Sequence, residues 1–222
     1  MSDPPAGALD LTVTVRALAA DDTELARDVV VRRYVDDGLF LEDVVDGTIV
    51  GTLALPDPAR FGPGPYPAVL CFGGSEGGAG SGVFRAMYLA SLGVAAFGVA
   101  YFGEDGVPDE LSEVPLEILE ADLAFLAAHP DIDAARIGVM GGSRGGELAL
   151  LLGAHFPVVK AVVAQAPSGL VWGSVLSGAV SAWTLDGEPV PFVPSSGAFA
   201  EVVVDDDGEH WSTCLLYTSR CV

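Results

Sequence analysis

Four short runs of this chain are predominantly apolar and lack a regular apolar–polar alternation, and they limit the possible folds more than any other feature. They are residues 67–74 (PAVLCFGG), 94–100 (VAAFGVA), 136–142 (RIGVMGG) and 159–167 (VKAVVAQAP). A strand with one wet face alternates apolar and polar residues, whereas a strand covered on both faces has no reason to. Helix-forming segments separate the runs. Residues 83–93 put Val83, Met87 and Ala90 on one face and stop at Gly93. Residues 115–130 open with Pro115 at the first turn and align Leu116, Leu119, Leu123 and Leu126, and residues 147–154 lie in a third helix. Buried strands joined by amphipathic crossovers predict an α/β fold with a doubly wound, mostly parallel sheet.

The flanking regions differ. Residues 10–34 read as two alternating strands around a turn at Asp21–Asp22, and residues 47–56 as a further strand ending in a Pro/Gly-rich stretch. After Pro167 the periodicity fades into Gly, Ser, Pro and Trp, which predicts a loop or lid. The 222 residues are half apolar, enough for one domain and part of another. Acidic residues outnumber basic ones 31 to 10, a net charge of -21 that repels phosphate backbones and argues against a nucleic-acid partner.

Cys71, Cys214 and Cys221 form neither a disulfide framework nor a metal-ligand spacing, so neither metal nor cofactor is expected. The start of the chain lacks the basic-then-apolar pattern of a signal peptide. The uncharged stretch 161–183 contains Gln165, Pro167, Gly169 and Gly173, which suits a strand entering a loop better than a membrane span. These features predict a cytoplasmic protein that takes a small-molecule substrate; they leave its oligomeric state open.

The chemistry concentrates at Gly141-Gly142-Ser143-Arg144-Gly145-Gly146, which follows an apolar strand and precedes a helix. In that setting G-x-S-x-G is a nucleophile elbow: a tight turn that projects the serine above the sheet, with Gly141 and Gly145 small because strand and helix backbones approach closely. The helix N-terminus favours negative charge developing on a substrate. The loop Gly73-Gly74-Ser75-Glu76-Gly77-Gly78 follows strand 67–72. In an elbow fold the corresponding loop gives one backbone N–H to the oxyanion and the residue after the serine gives the other, here Ser75 (or Gly74) and Arg144. A phosphate-binding reading fails, since no G-x-G-x-x-G runs through residues 73–82 and no Gly-Lys-Ser/Thr follows.

Three stretches carry a family resemblance: residues 51–78, 90–111 and 123–154. With Ser-Arg-Gly-Gly-Glu at 143–147, Ala-Tyr-Phe at 100–102 and SAWTLDGEPVPFVP at 181–194, the chain resembles the bacterial acyl-CoA thioesterase and bile acid-CoA:amino acid N-acyltransferase family over roughly residues 10–212. The resemblance implies an α/β-hydrolase domain over residues 41–212. It also implies that residues 1–40 are remnant strands of an immunoglobulin-like domain, too few for a whole sandwich. In that family cysteine at the nucleophile position goes with transfer to an amino acid and serine with thioester hydrolysis, so Ser143 implies hydrolysis. Residues 213–222 (TCLLYTSRCV) match nothing in the family and read as a non-native tail.

A serine needs a base, and the fold's chain order puts acid and histidine after the nucleophile. His155 lies twelve residues on at the far end of the elbow helix, roughly 18 Å away. His210 follows Asp205, Asp206 and Asp207 too closely for acid and base on separate loops, and DDDGEH misses the calcium-loop spacing. His129 precedes the serine and reads as structural. The triad acid and histidine are therefore expected to be missing from these residues, as in a truncated enzyme with an unpaired apolar sheet edge that aggregates. Two alternatives stay open: an oxygen-ester hydrolase of the dienelactone-hydrolase or carboxylesterase kind, and a non-catalytic binding module. The first gains from the charge, because coenzyme A is itself anionic and only local arginines such as Arg85 or Arg144 could offset -21.

Overall fold

A computed structural model describes residues 10–36, 38–194, 202–204 and 210–212. The expected tail at 213–222 and the acidic run Asp205–Asp207 lie outside the described residues. The strands are β1 (Asp10–Leu18), β2 (Glu24–Arg33), β3 (Phe40–Asp46), β4 (Ile49–Leu55), β5 (Tyr66–Phe72), β6 (Ala95–Val99), β7 (Val114–Pro115), β8 (Ile132–Gly142), β9 (Val159–Gln165), β10 (Trp183–Leu185), β11 (Glu188–Pro189), β12 (Val202–Val204) and β13 (His210–Ser212). The helices are α1 (Pro58–Phe61), α2 (Gly80–Ala90), α3 (Leu116–Ala128) and α4 (Arg144–His155).

The main sheet runs β3-β4-β6-β5-β8-β9. Its four central and outer strands β6, β5, β8 and β9 are parallel, while β3 and β4 add an antiparallel edge. The order reverses between β5 and its neighbours, so loops leaving the carboxyl ends of β5 and β8 meet in one crevice, where a doubly wound sheet binds ligands. This is the α/β-hydrolase arrangement, with the serine elbow at the end of β8.

The two sheet faces are packed differently. One carries large side chains (Leu70, Phe72, Phe97, Val139) under Leu119, Leu123 and Leu126 of α3 and Leu148 and Leu152 of α4. The leucine stripe expected on α3 is buried as the periodicity requires. On the other face Ala54, Cys71 and Ala96 meet Ala86 and Ala90 of α2, and at Gly98 a Cβ would collide with the Val83 backbone. Small residues there let helix and sheet come together closely.

Several boundaries differ from the sequence reading. α2 starts at Gly80, three residues earlier than expected, with its buried face on Gly82, Ala86 and Ala90; Val83 and Met87 lie at its margin. Pro115 caps α3 from an extended conformation, so the helix itself begins at Leu116. Strand β3 was not expected, because FLEDVVD carries three carboxylates and most of its side chains are exposed. The largest correction concerns the region after Pro167. Trp183 is fully buried, β10 pairs with β7, and Trp172 bridges to Val193, so much of this segment is packed structure instead of a loose lid.

The 10–34 segment forms the expected hairpin, with Asp22 at positive φ in its turn. β1 and β2 form a separate two-stranded sheet and expose side chains on both faces.

Candidate active site at the end of β8

Ser143 sits at φ 55°, ψ -122°, a conformation that residues other than glycine seldom occupy. The chain is forced into it by its neighbours. The Ser143 N–H donates to Gln165 O at 2.9 Å, tying the turn to the end of β9, while its carbonyl accepts from the Gly146 and Glu147 amides and starts α4. A Cβ on Gly141 would overlap Gly145 O, and one on Gly145 would overlap Gly73 O. Strand, helix and glycine loop thus touch backbone to backbone, and the side chain of Ser143 is left exposed above them.

The glycine loop lies alongside. A Cβ on Gly74 would stand 3.2 Å from Ser143 Cβ and 3.0 Å from Gly142 O. The Gly74 N–H donates to Glu76 Oε2 at 2.9 Å, which commits that amide within the loop. Burial pushes the Glu76 carboxyl upward, but the Ser81 hydroxyl, the amides of Glu76 and Gly74, and Arg85 outweigh it, so the group stays ionised below the usual range. Arg144 opens α4, where its N–H has no intrahelical acceptor by position.

The side chain of Arg144 does something the motif did not reveal. Its Nη1 donates to Glu147 Oε2 at 2.9 Å, and its Nη2 donates to the carbonyls of Trp172 (3.2 Å) and Gly173 (3.0 Å). Glu147, 2% exposed, also accepts from Trp183 Nε1 at 2.8 Å and from the Trp172 N–H at 3.3 Å. Burial raises the Glu147 carboxyl and lowers the Arg144 guanidinium, and each charge opposes the other's shift. This pair clamps the packed 172–185 segment onto the first turn of the elbow helix. Sequence reasoning gave Glu147 and Trp183 as family-like residues without a role.

Arg85 is also engaged, donating from Nη1 to Phe72 O (3.2 Å) and Ser81 O (3.1 Å). Neither arginine named as a possible counter-charge for coenzyme A is therefore a spare surface cation.

No described side chain hydrogen-bonds the Ser143 hydroxyl among the described residues. His155 is exposed at the far end of α4, and His129 caps α3, its Nδ1 accepting from the Asp131 N–H at 3.2 Å. His210 falls within β13, and its side chain lies outside the described residues. Among the described residues no group of His, Cys, Asp and Glu could hold a metal ion, and no helix is long and apolar enough to cross a membrane.

Residues 114–202, which contain the elbow and the Glu147–Trp183 clamp, match the family model described as "BAAT / Acyl-CoA thioester hydrolase C terminal". The chain is 37% identical over 132 residues to acyl-coenzyme A amino acid N-acyltransferase 1 of Mus musculus, covering 60% of this chain and 30% of that protein. It is 32% identical over 139 residues to acyl-coenzyme A thioesterase 1 of Rattus norvegicus, covering 63% of this chain and 32% of that one. The chain thus spans about a third of the length of the curated relatives it matches. Among solved structures it is similar to esterase Est22, at 24% identity and a TM-score of 0.48, over 63% of this chain and 48% of that one.

Proposed function

We propose that this chain belongs to the BAAT / acyl-CoA thioester hydrolase family and supplies the nucleophile and oxyanion donors of a serine hydrolase that cleaves acyl thioesters, with a cytoplasmic acyl-CoA as substrate. The observation that carries the reading is Ser143 itself: exposed, held at φ 55° between a buried strand and a helix N-terminus, and set against the Gly74 backbone. A turn this strained persists only where its surroundings enforce it, and such strain clusters at reacting groups.

In this reading Ser143 Oγ attacks the thioester carbonyl, and its proton passes to a base. The oxyanion forms between the N–H groups of Ser75 and Arg144. Collapse expels the thiolate, which takes the proton, and water then cleaves the acyl-serine. None of the described histidines reaches Ser143, so the reading requires a histidine and an acid outside the described residues. The same reading takes residues 1–40 as the end of an immunoglobulin-like domain, residues 41–212 as the hydrolase core and residues 213–222 as a non-native tail.

In the full-length enzyme that carries the base and acid, Ser143→Ala is expected to lower kcat for acyl-CoA hydrolysis by at least about 10³-fold and to abolish labelling by a fluorophosphonate probe. Turnover that survives the substitution refutes the assignment. A second reading, hydrolysis of oxygen esters, is favoured by the internal commitment of Arg85 and Arg144 in a chain of net charge -21. Parallel assays with acyl-CoA and p-nitrophenyl esters separate the two.

A further inference from the structure

We propose that Tyr101 is a positioning residue that aims the Ser75 amide at the space above Ser143; this rests on the oxyanion role given to Ser75 above. Tyr101 lies just beyond β6, is 1% exposed, and donates its hydroxyl proton to Gly74 O at 2.6 Å, with Gly73 O at 3.4 Å. The Gly74 carbonyl and the Ser75 N–H belong to one peptide unit. That unit is planar and trans, so its C=O and N–H point in opposite directions. Fixing the carbonyl fixes the amide. The glycine loop has little else to hold this peptide, because glycine on one side leaves the backbone free to rotate.

The surroundings make Tyr101 a stiff anchor. Its ring packs against Phe72 (centroids 6.0 Å apart), Phe102 (5.1 Å) and Trp183 (5.6 Å). Burial, with the Glu76 carboxylate adding to it, raises the phenol well above its ordinary range, so it remains a donor throughout the working pH range. Trp183 meanwhile donates to Glu147, the partner of Arg144. One buried tryptophan therefore backs both oxyanion donors: Ser75 through Tyr101, and the α4 terminus through Glu147. Donors held in place before charge develops need no reorganisation when it does, which is the source of their catalytic value.

The test is Tyr101→Phe in the full protein, which keeps the ring contacts and removes one oxygen. Three results are expected together. The backbone order parameter of Ser75 falls from near 0.85 toward 0.6 or below, the values of rigid and flexible backbone, while those of β5 and β8 are unchanged. The Ser75 amide nitrogen resonance moves upfield, having lost the hydrogen bond on the preceding carbonyl. Ser143-dependent ester hydrolysis loses about ten-fold in kcat at unchanged KM. Incorporating 3-fluorotyrosine at position 101 keeps the packing and strengthens the donor, so the same nitrogen moves downfield; this arm decides the matter if the Phe variant does not fold. An unchanged Ser75 resonance and order parameter overturns the proposal, as does a loss spread evenly over KM and kcat. Hydrolysis that persists in Ser143→Ala overturns the functional reading instead, and the Ser75 measurements still judge Tyr101.

Discussion

Val139 of β8 and Val162 of β9 are cross-strand partners, yet the first is 1% exposed and the second 37%. Both strands read as fully buried in sequence. What differs is the company: β8 lies between two strands and under α3 and α4, whereas β9 pairs, among the described residues, with β8 alone. α4 covers part of one face of β9, and Val163 on the other face is 48% exposed. An apolar strand states a demand for burial on both sides; neighbours far along the chain decide whether it is met. The elbow is built where the demand is met, and substitutions on the two sides should show how much that matters.

The largest effect is expected at Trp183, the fully buried indole that backs the elbow. Trp183→Ala should cost about 3–5 kcal/mol in chemical denaturation, the range for deleting a large buried aromatic, with the freed Glu147 carboxylate adding to the loss. A cost below about 1 kcal/mol would mean that the 172–185 segment is not part of the core.

Asp122 gives an effect of comparable size that is spread across pH and appears only as a slope. The side chain is fully buried on α3, neither carboxylate oxygen has a hydrogen-bond partner among the described residues, and burial pushes it up to about 8 from 3.8. Because the folded state keeps a proton that the unfolded chain gives up, this contribution is fully present below about pH 4 and is lost as pH rises through about 8. Stability should fall across that window by up to about 1.4 kcal/mol per pH unit. Asp122→Leu should flatten the slope and raise stability at neutral pH; an unchanged slope would show that water or a shift in α3 satisfies the carboxylate.

These two residues also mark what sequence could and could not reveal. The parallel sheet was legible because runs such as VAAFGVA have a local pattern with one physical meaning. Ser143, Gly141 and Gly145 were legible because an elbow is made from adjacent residues. Trp183 was not, since it sits among Gly, Ser and Pro and its indole N–H is paired with Glu147, 36 residues away. Tyr101 acts on Gly74 across 27 residues, a pairing that no spacing along the chain encodes. Strand β3 was hidden by its carboxylates, which face solvent and leave only a faint alternation.

Ser143→Gly is a smaller effect with an unusual sign. Glycine occupies positive φ without the Cβ clash, so relief of strain should outweigh the extra unfolded-state entropy and stabilise the fold by about 1 kcal/mol, while removing the hydroxyl. A protein that loses activity and gains stability at one residue holds strain there for function. If Ser143→Gly destabilises, the Ser143 side chain contributes packing or hydrogen bonding that outweighs the backbone term.

The smallest change in stability is expected at Val163, half-exposed on the poorly covered face of β9. Val163→Lys should shift stability by no more than about 0.5 kcal/mol, as surface substitutions do, because little burial is lost. Its effect should appear in association. An apolar outer strand with no further partner among the described residues offers its amides and carbonyls to another chain, and a lysine there opposes edge-to-edge pairing. Light scattering at rising concentration should show less aggregation in the variant at unchanged Tm. The same substitution at Val139 should prevent folding, since it would bury an unpaired charge under α3 and α4. If Val163→Lys instead unfolds the protein, β9 is covered by something outside the described residues, and the contrast between the two strands is a property of this stretch of chain alone.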